Sequence, residues 1–359
     1  EEILNELQLL QGIVEKRNTM PILANILANA SGREVELTGT DLEVGLRTHF
    51  EAQVEEEGSI TISGKKIFEI VKSMPEESVI NFEEGGDLRM EVKSGESEFK
   101  VLCLPKEDYP QIPETKFEKS IEFPLQIFQG MIDRVYYAIT QEQRYYLSGA
   151  LMILKNSSIE LVSTDGHRLA YVFKKVDGVK VDKEIRVIVA KKTLGELRKF
   201  TDESVEFDLD ESNLFFRVKN RTLISRIIEG KFPSFEAVIP KDNPHVLTVS
   251  KSEMEEAIRR VSLFSTERSK GIKFYIGKND IRMFSSNPEI GEARDKVRIS
   301  YKGEELEIGF NSQYLLDFLS TVRGETVRME LKDTNSSVLM KPEAEEDMKY
   351  AYVLMPMKL

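Results

Sequence analysis

The sequence predicts an α+β fold in which one module is written three times. Pro110, Pro233 and Pro356 stand at intervals of 123 residues (233 − 110 and 356 − 233). A fixed period of this length indicates repeated domains, because solenoid repeats are much shorter. Each period has the order helix, strands, helix, strands. We therefore expect two helices to cover one face of a mostly antiparallel sheet in each module.

Two helices per module are predicted from apolar residues that recur at i, i+3 and i+4, the spacing of a helix with one buried face. The first helix of each module is expected at 3–14, 128–139 and 254–264. The second is expected at 64–74, 190–200 and 311–322.

Strand pairs are expected between the two helices of each module. Apolar and polar residues alternate in these pairs, as at Leu169 and Tyr171, which is typical of antiparallel strands with one covered face. One equivalent turn joins the strands and carries Thr40-Asp41, Thr164-Asp165 or Ser286-Asn287. The pairs span 35–50, 159–173 and 281–299, and further strands are expected in 205–218 and 327–340.

Three domains follow from the repeat, at 1–113, 121–240 and 246–359. With 40% hydrophobic residues overall, each module is long enough to bury its own core. Polar, proline-bearing stretches at 111–120 and 239–246 are the expected joints. Because a short strand-like run precedes the first helix of modules two and three, we expect an equivalent strand to be missing before residue 1.

The formal charge is −12, from 62 acidic and 50 basic residues, which argues against a protein that coats nucleic acid. Basic residues nevertheless gather on the predicted helices, whereas acidic residues crowd the strands and turns. Any one basic cluster has a plain explanation as exposed helix surface. Recurrence in three modules favours one positive surface on a negative body.

The single cysteine, Cys103, excludes an intramolecular disulfide, and the sequence shows neither a long apolar stretch nor a cleavable signal. We therefore expect a cytoplasmic protein without membrane association. Neither a metal nor a cofactor is expected, since the three histidines have no second His or Cys at ligand spacing. Segment 58–66 resembles a phosphate loop but has five residues between its glycines and no Ser or Thr after its lysine pair.

One catalytic alternative is left open, in which Asp165 orients His167 as a general base. The competing interpretation is a tight turn that Asp165 caps and in which Gly166 supplies a positive φ. The equivalent segments of the other two modules, GTDLEV and SSNPEI, keep the turn but lose the histidine.

Four strings resemble the bacterial DNA polymerase III β sliding clamp family: TMPILANIL (19–27), RYYLSGALMIL (144–154), STDGHRLA (163–170) and YAYVLMPMKL (350–359). The resemblance runs along essentially the entire chain. It implies a non-catalytic processivity factor of DNA replication, in which a head-to-tail homodimer forms a closed ring of six like domains around duplex DNA. Helices would line the inside and sheets the outside, so that basic side chains meet phosphates without reading sequence.

The resemblance also implies which residues face the DNA and which join two copies of the chain. The DNA-lining set is Arg17, Lys65, Lys72, Gln141, Arg144, Tyr145, Tyr146, Lys191, Lys192 and Lys199. Tyr145 and Tyr146 of this set have an alternative role as ordinary core or strand residues. The dimer interface would bring Phe99 and Val101 of module one against Leu263 and Phe264 of module three.

A further implied site is an apolar pocket for short linear peptides from the DNA polymerase III α subunit, the clamp loader and other proteins. Residues 353–357, which would form part of this pocket, have an alternative role as the last strand of module three, where they would close its core. Ala237 and Lys358 stand where the family often has Arg, so the polar rim departs from the family pattern. The pocket would comprise Leu147, Thr164, Gly166, His167, Arg168, Leu169, Pro233, Val238, Ser337, Val353, Leu354, Met355, Pro356 and Met357.

The leading hypothesis is therefore a processivity ring without catalytic activity. A runner-up is a nucleic-acid or nucleotide-processing enzyme that uses Asp165 and His167, with the repeats as scaffold. A third hypothesis is a structural repeat protein that binds partners but no DNA.

Overall fold

The computed structural model describes residues 2–14, 20–140, 145–344 and 347–358, with only the backbone described at Tyr145. The helices follow the order predicted for the repeat, two in each module. None of the described helices is long and apolar enough to cross a membrane. Their bounds are α1 Glu2–Leu10, α2 Gly64–Ser73, α3 Leu125–Tyr136, α4 Lys191–Leu197, α5 Lys251–Ser262 and α6 Ser312–Thr321.

The strands also follow the predicted order in each module. Module one contains β1 Asn25–Ser31, β2 Glu34–Thr40, β3 Val44–Glu51, β4 Gly58–Ser63, β5 Asn81–Gly85, β6 Arg89–Ser94 and β7 Ser97–Leu104. Module two contains β8 Ile121–Pro124, β9 Gly149–Lys155, β10 Ser158–Thr164, β11 Arg168–Lys175, β12 Ile185–Ala190, β13 Ser204–Leu209, β14 Asn213–Val218 and β15 Arg221–Arg226. Module three contains β16 His245–Ser250, β17 Gly271–Ile276, β18 Asp280–Asn287, β19 Gly291–Arg298, β20 Leu306–Asn311, β21 Thr326–Leu331, β22 Val338–Pro342 and β23 Lys349–Leu354.

Three sheets are built from these strands, and their strand pairs are antiparallel. The first has 11 strands in the order β5-β6-β7-β4-β1-β2-β3-β15-β14-β13-β8. The second has eight, in the order β12-β9-β10-β11-β23-β22-β21-β16, and the third has four, in the order β19-β18-β17-β20. Two sheets therefore extend from one module into the next.

The chain forms two compact units, and each sheet belongs to one of them. Unit 1 is Glu1–Gln126 with Lys192–Ile227 and holds the 11-stranded sheet. Unit 2 is Ile127–Lys191 with Ile228–Leu359 and holds the other two sheets. The division runs through module two because β15 pairs with β3 and β11 pairs with β23. The three predicted domain ranges stay a prediction.

Three helices begin at a residue whose side chain accepts hydrogen bonds from the first turn. Ser63 accepts from the backbone of Lys66, and Ser250 from that of Glu253, each at 3.4 Å. Asn311 caps α6 by accepting from the backbone of Gln313 at 2.9 Å. A strand that ends on Ser or Asn thus turns directly into a helix, since these side chains satisfy free backbone N–H groups.

In unit 1 a buried ion pair ties α1 to the strands beneath it. The carboxylate of Glu6, which is 4% exposed, accepts from Arg221 Nε of β15 at 2.9 Å and from the Thr48 hydroxyl of β3 at 2.6 Å. The Glu6 carboxylate raises the pKa of Arg221 despite partial burial. Helix α1 is therefore fastened where β3 and β15 continue one sheet across two modules.

Aromatic rings fill the corresponding place in unit 2, between α6 and the β11–β23 pair. The Phe318 ring stacks on Tyr352 with ring centroids 4.9 Å apart. The hydroxyls of Tyr137 and Tyr350 lie 2.7 Å apart, and Tyr350 also donates to the carbonyl oxygen of Arg134. Burial holds the pKa of Tyr137 well above its ordinary value.

The predicted helices and strands are confirmed in order and type, while the bounds of several helices differ; the helix predicted at 128–139 spans Leu125–Tyr136. The helix predicted at 3–14 ends at Leu10, after which 11–14 form turns. The helix predicted at 190–200 ends at Leu197, where the backbone of Lys199 bonds to the carbonyl oxygen of Glu196. Both ends tighten into shorter-range hydrogen bonds, which satisfy carbonyl groups that a longer helix would have paired.

Gly149 begins β9 at a point where the strands leave no room for a side chain. A Cβ there would overlap the carbonyl oxygen of Val189 in β12 and lie 2.9 Å from Cγ2 of Ile188. We expect Gly149→Ala to lower the free energy of unfolding by about 1–3 kcal/mol, because relief of the overlap shifts the backbone. Urea unfolding followed by circular dichroism measures this change.

Gly86→Ala is the matched control, since its Cβ would meet no atom within 4 Å. It should change the free energy of unfolding by less than about 0.5 kcal/mol. Equal effects of the two substitutions would contradict the close approach of β9 and β12.

Candidate nucleic-acid and partner interfaces

The turn between β10 and β11 is held by two side chains that the sequence singled out. Thr164 donates to the carbonyl oxygen of Arg168 at 2.6 Å and accepts from the backbone of Gly166 at 3.1 Å. Asp165 accepts from the backbone N–H groups of His167 and Arg168 at 3.0 and 3.1 Å. Gly166 has φ +90°, a conformation that glycine adopts without strain.

Module one builds the same turn from Thr40 and Asp41. Thr40 donates to the carbonyl oxygen of Val44 at 3.1 Å, and Asp41 accepts from the backbone of Glu43 and Val44. Leu42 takes the place of Gly166 with φ +77°. The predicted equivalence of the first two turns is confirmed at the level of individual hydrogen bonds.

Three predicted pocket residues meet in one apolar cluster of unit 2. Leu147, Leu169 and Val353 are each at most 3% exposed and pack in the same cluster. Leu169 of β11 lies directly opposite Val353 of β23. The cluster also contains Leu151, Ile153, Val162, Ile188, Phe232, Phe235 and Leu339.

Other predicted pocket residues lie near the surface around this cluster. Val238 and Met355 are 45% and 46% exposed, and the backbone of Met355 bonds to the carbonyl oxygen of His167 at 3.0 Å. Gly166, His167 and Pro233 are exposed, while Ser337 and Pro356 are half-buried. Met357 lies elsewhere on unit 2, where it bridges to Gly309 of β20. The buried cluster is therefore an apolar floor, and the residues around it form a rim of apolar and polar side chains.

Arg168 departs from the predicted role, because its side chain lies on the other face of β11 from Leu169. Its guanidinium donates to Asp165 at 3.0 Å, to Asp317 at 2.5 Å and to the carbonyl oxygen of Tyr137 at 2.6 Å. The Tyr314 ring lies 4.1 Å from it. Successive side chains of a strand alternate between faces, which also places Leu354 away from the cluster.

The electrostatics of Arg168 fit a structural cation. Burial alone would lower the pKa of its guanidinium, but Tyr352, Asp317 and Asp165 outweigh burial and raise that pKa. Arg168 therefore stays charged and connects the turn at Asp165 with α6.

Two aromatic residues of the cluster were not predicted to belong to the site. Tyr171 and Phe235 stack with ring centroids 5.5 Å apart, and Tyr171 packs against the cluster. The Tyr171 hydroxyl donates to Glu160 at 3.0 Å, and burial, followed by Glu160, raises the pKa of Tyr171. Period-two alternation from Leu169 could have identified Tyr171, whereas no local pattern marks Phe235.

The predicted DNA-lining residues divide into several groups. Arg17, Gln141 and Arg144 lie outside the described residues, and the side chain of Tyr145 is likewise not described. Tyr146 is 41% exposed, with its Cβ 3.1 Å from the Cβ position of Gly230.

Lys65 and Lys72 of α2 present accessible charge. Lys65 has a side chain that is 72% exposed and lies 3.7 Å from Glu69, a weak surface contact. Lys72 lies 5.6 Å from the ring centroid of Phe68. These two side chains can be redirected toward phosphate at little cost.

The two predicted lysines of α4, and Lys199 just after it, are engaged within the protein. Lys191 donates to the carbonyl oxygen of Ile139 at 3.0 Å, and burial, followed by Arg168, lowers its pKa. Lys192 donates to Asp41 and to the carbonyl oxygen of Ile13 at 2.9 Å. Lys199 pairs with Glu196 at 2.7 Å. Their contribution to a basic surface is smaller than the sequence suggests.

Two strand edges carry the residues predicted to join two chains. Strand β7, with Phe99 and Val101, pairs with β6 over Ser97–Leu102 but with β4 only at Cys103 and Leu104. Among the described strands, β19 pairs with β18 alone and forms one edge of the four-stranded sheet.

Apolar side chains lie beside each of these edges. Leu263 follows α5 and is 73% exposed, and the Phe264 ring lies 3.6 Å from the Cβ position of Gly291, where β19 begins. Leu102 of β7, which was not predicted, is also 73% exposed.

The catalytic alternative finds no support at the turn. The Asp165 carboxylate bonds to backbone N–H groups and to Arg168, and in the described chain no hydrogen bond joins it to the His167 ring. No group of three or more His, Cys, Asp or Glu side chains in the described ranges could hold a metal ion.

Models of three protein domains match the chain in consecutive order. The N-terminal domain of the DNA polymerase III beta subunit matches residues 1–113, the central domain 122–234 and the C-terminal domain 236–358. The chain belongs to the DNA polymerase III beta subunit family. The predicted family is thereby confirmed.

Relatives in this family match along the whole chain. The beta sliding clamp of Pseudomonas putida is 35% identical over 365 residues, which covers 100% of this chain and 98% of the relative. The beta sliding clamp of Escherichia coli is 32% identical, with the same coverage of both chains.

Solved structures in the family share the fold. The DNA polymerase III subunit beta of Pseudomonas aeruginosa has a TM-score of 0.93 at 34% identity and covers 99% of this chain and 98% of its own. A sliding clamp of Bartonella birtlesii bound to griselimycin has a TM-score of 0.94 at 32% identity and covers 100% of this chain and 97% of its own.

Replacement of Arg168 tests its structural role. Arg168→Met removes a buried guanidinium from the partly buried Asp165 and Asp317, so the free energy of unfolding should fall by about 1.5–3 kcal/mol, the range for hydrogen bonds to charged groups. The free energy of unfolding of Arg168→Lys should lie between that of Arg168→Met and that of the parent protein, because a lysine keeps the charge but loses the planar set of donors. Urea unfolding measures all three proteins.

Arg186→Met is the control, because the Arg186 side chain is 44% exposed and pairs with exposed acids. It should change the free energy of unfolding by less than about 0.5 kcal/mol. A similarly small change in the free energy of unfolding for Arg168→Met would refute the structural role of Arg168.

Proposed function

We propose that this protein is a DNA sliding clamp: two copies join head to tail into a ring that encircles duplex DNA and tethers the replicative polymerase. The observation that carries the proposal is that all three modules match, in order, the three domains of one beta subunit. Holding DNA by enclosure needs no chemical step. Family membership therefore supports a non-catalytic processivity subunit over the enzyme that the turn at Asp165 suggested.

Two open strand edges support closure of the ring. Among the described strands, β19 is an edge of its sheet, and β7 pairs with β4 only at Cys103 and Leu104. Backbone N–H and C=O groups that lack a strand partner at such edges can pair with another strand. Antiparallel pairing of β7 with β19 of a second copy would satisfy both edges and repeat the pairing used between modules. Phe99 and Val101 would then meet Leu263 and Phe264 across the seam. Each copy offers both edges, so two seams close the assembly.

Contact with DNA is proposed to rest on phosphate attraction alone. Phosphates carry no sequence information, so exchangeable contacts let a ring slide. Lys65 and Lys72 supply accessible charge on α2, and Arg17, Gln141 and Arg144 remain in the proposal from the family resemblance. Tyr145 and Tyr146 remain with them. Lys191, Lys192 and Lys199 would act mainly by holding α4 in place.

The apolar cluster that contains Leu169 of β11 and Val353 of β23 is the proposed receptor for clamp-binding peptides. Leu147, Leu169 and Val353 form its floor, and the exposed Val238 and Met355 flank it. A methionine at the rim adapts to different partner side chains, which suits a site shared by several proteins. The DNA polymerase III α subunit and the clamp loader are the proposed partners. A cytoplasmic location follows from this role beside bacterial DNA.

The seam predicts that Leu263→Asp splits the dimer. Leu263 is exposed within one chain, so the substitution should not affect folding, whereas a buried charge at the seam is costly. Analytical ultracentrifugation at low micromolar concentration should show a dimer for the parent protein and a monomer for the variant. Val79→Asp, at a position that is 75% exposed, is the control and should stay dimeric. An unchanged mass for Leu263→Asp would refute the seam.

DNA contact predicts a specific salt dependence. Replacing Lys65 and Lys72 by Ala should reduce the slope of log affinity against log salt by about 2 for a short duplex, since each phosphate contact contributes about 0.9. Fluorescence anisotropy measures this slope. Lys180→Ala with Lys183→Ala, two exposed lysines of the loop after β11, should leave it unchanged.

Retention on plasmid DNA tests enclosure directly. The loaded protein should remain on closed circular DNA at high salt and dissociate once the circle is cut. Loss from circular and linear DNA at the same rate would overturn the ring.

A further inference from the structure

The four-stranded sheet of unit 2 has one face covered by α5 and one open face. Ile281, Met283 and Val297 on the covered face are at most 3% exposed. The open face forms a concavity of about 620 Å³. It is lined by Tyr275 of β17, Arg282, Met283 and Phe284 of β18, and Arg294, Asp295 and Lys296 of β19. The aromatic and cationic side chains of this lining, Tyr275, Arg282, Phe284, Arg294 and Lys296, are here called the basic sheet face.

Strand register places rings and cations of this face in alternating positions. Tyr275 lies opposite Arg282, and Arg282 lies opposite Lys296. Phe284 lies opposite Arg294, whose guanidinium is 5.3 Å from the ring centroid. The Tyr275 and Phe284 rings are diagonal neighbours on adjacent strands, about 7–8 Å apart at their backbones. Both rings are partly accessible.

Positive charge on this face is accessible despite the overall charge of −12. Arg282 and Arg294 have side chains that are 61% and 73% exposed. Their ion-pair contacts with Asp280 and Glu292 measure 3.5 and 3.1 Å and are the kind that water and salt weaken. Lys296 makes no ion pair with any described residue. These cations are free to exchange their partners for phosphates.

We propose that the basic sheet face binds single-stranded nucleic acid. Unstacked bases would lie on the Tyr275 and Phe284 rings, while Arg282, Arg294 and Lys296 hold the phosphates. Alternating aromatic and cationic side chains on an open sheet suit this ligand because every base has a flat face to stack. In a duplex the base faces are stacked and inaccessible to the rings. An acidic peptide would pair with the cations but would have no flat group to stack on the rings. The basic sheet face shares no residue with the proposed DNA-lining set or with the proposed peptide pocket.

The experiment titrates the full chain with a labelled oligodeoxythymidylate and measures anisotropy at several salt concentrations. Tyr275→Leu with Phe284→Leu should weaken binding at least about tenfold, since each stacked base contributes strongly. Arg282→Ala should weaken binding and reduce the salt slope by about 0.7. Arg328→Ala is the control, because it removes one partly exposed strand cation from another sheet and should change neither quantity.

Several outcomes would overturn the inference. The parent protein could fail to bind the oligonucleotide, or both the leucine variant and the arginine variant could bind it as the parent does. If the arginine variant weakens binding but the leucine variant does not, and a polyglutamate peptide competes equally, the face binds acidic chains in general. Thermal unfolding confirms that the leucine variant folds, and the arginine variant tests the face independently of the rings.

Failure here is distinguishable from failure of the proposed clamp. Tyr275, Arg282 and Phe284 lie on β17 and β18 and not on β19, the strand proposed to join two copies, so dimer mass and retention on closed circular DNA should match the parent protein. A protein that keeps both properties but binds no single strand loses this inference alone.

Discussion

Antiparallel pairing between an inner strand of one repeat and the last strand of the next is the constraint on which the rest of this protein depends. Strand β3 pairs with β15, and β11 pairs with β23, so two of the three sheets continue into the next module. Among the described strands, β19 forms a sheet edge, and most of β7 is open on the side where its last two residues meet β4. A repeat that joins its copies through strand edges thus creates in one chain the contact by which a second chain can be added.

The joints within the chain are fastened by buried charges on the helix side of the sheets. In unit 1 Glu6 bonds to Arg221, and in unit 2 Arg168 bonds to Asp165 and Asp317. Lys191 and Lys192 are engaged in the same way. Part of the basic character of the helices therefore stabilises the joints, and the charge available to DNA is concentrated on more exposed side chains such as Lys65.

Strand alternation explains how one short segment serves two purposes. Leu169 and Tyr171 of β11 face the apolar cluster, while Arg168 between them and the turn faces the helices. The turn at Asp165 therefore connects the floor of the proposed peptide pocket with the joint beneath it. The sequence string alone treats these neighbours as one site, because a linear motif does not show which face of a strand each residue occupies.

The order of helices and strands was readable from the sequence, since periodicity and the 123-residue spacing are local or repetitive signals. So were the turns at Thr40 and Thr164, whereas Leu147, Leu169 and Val353 were assigned to one site by the family resemblance. Only the tertiary structure decided that the sheets cross module boundaries, that Phe235 stacks on Tyr171, and that the α4 lysines are occupied. These features depend on contacts between residues far apart in the chain, and burial, not residue type, determines whether a cation is available to a ligand.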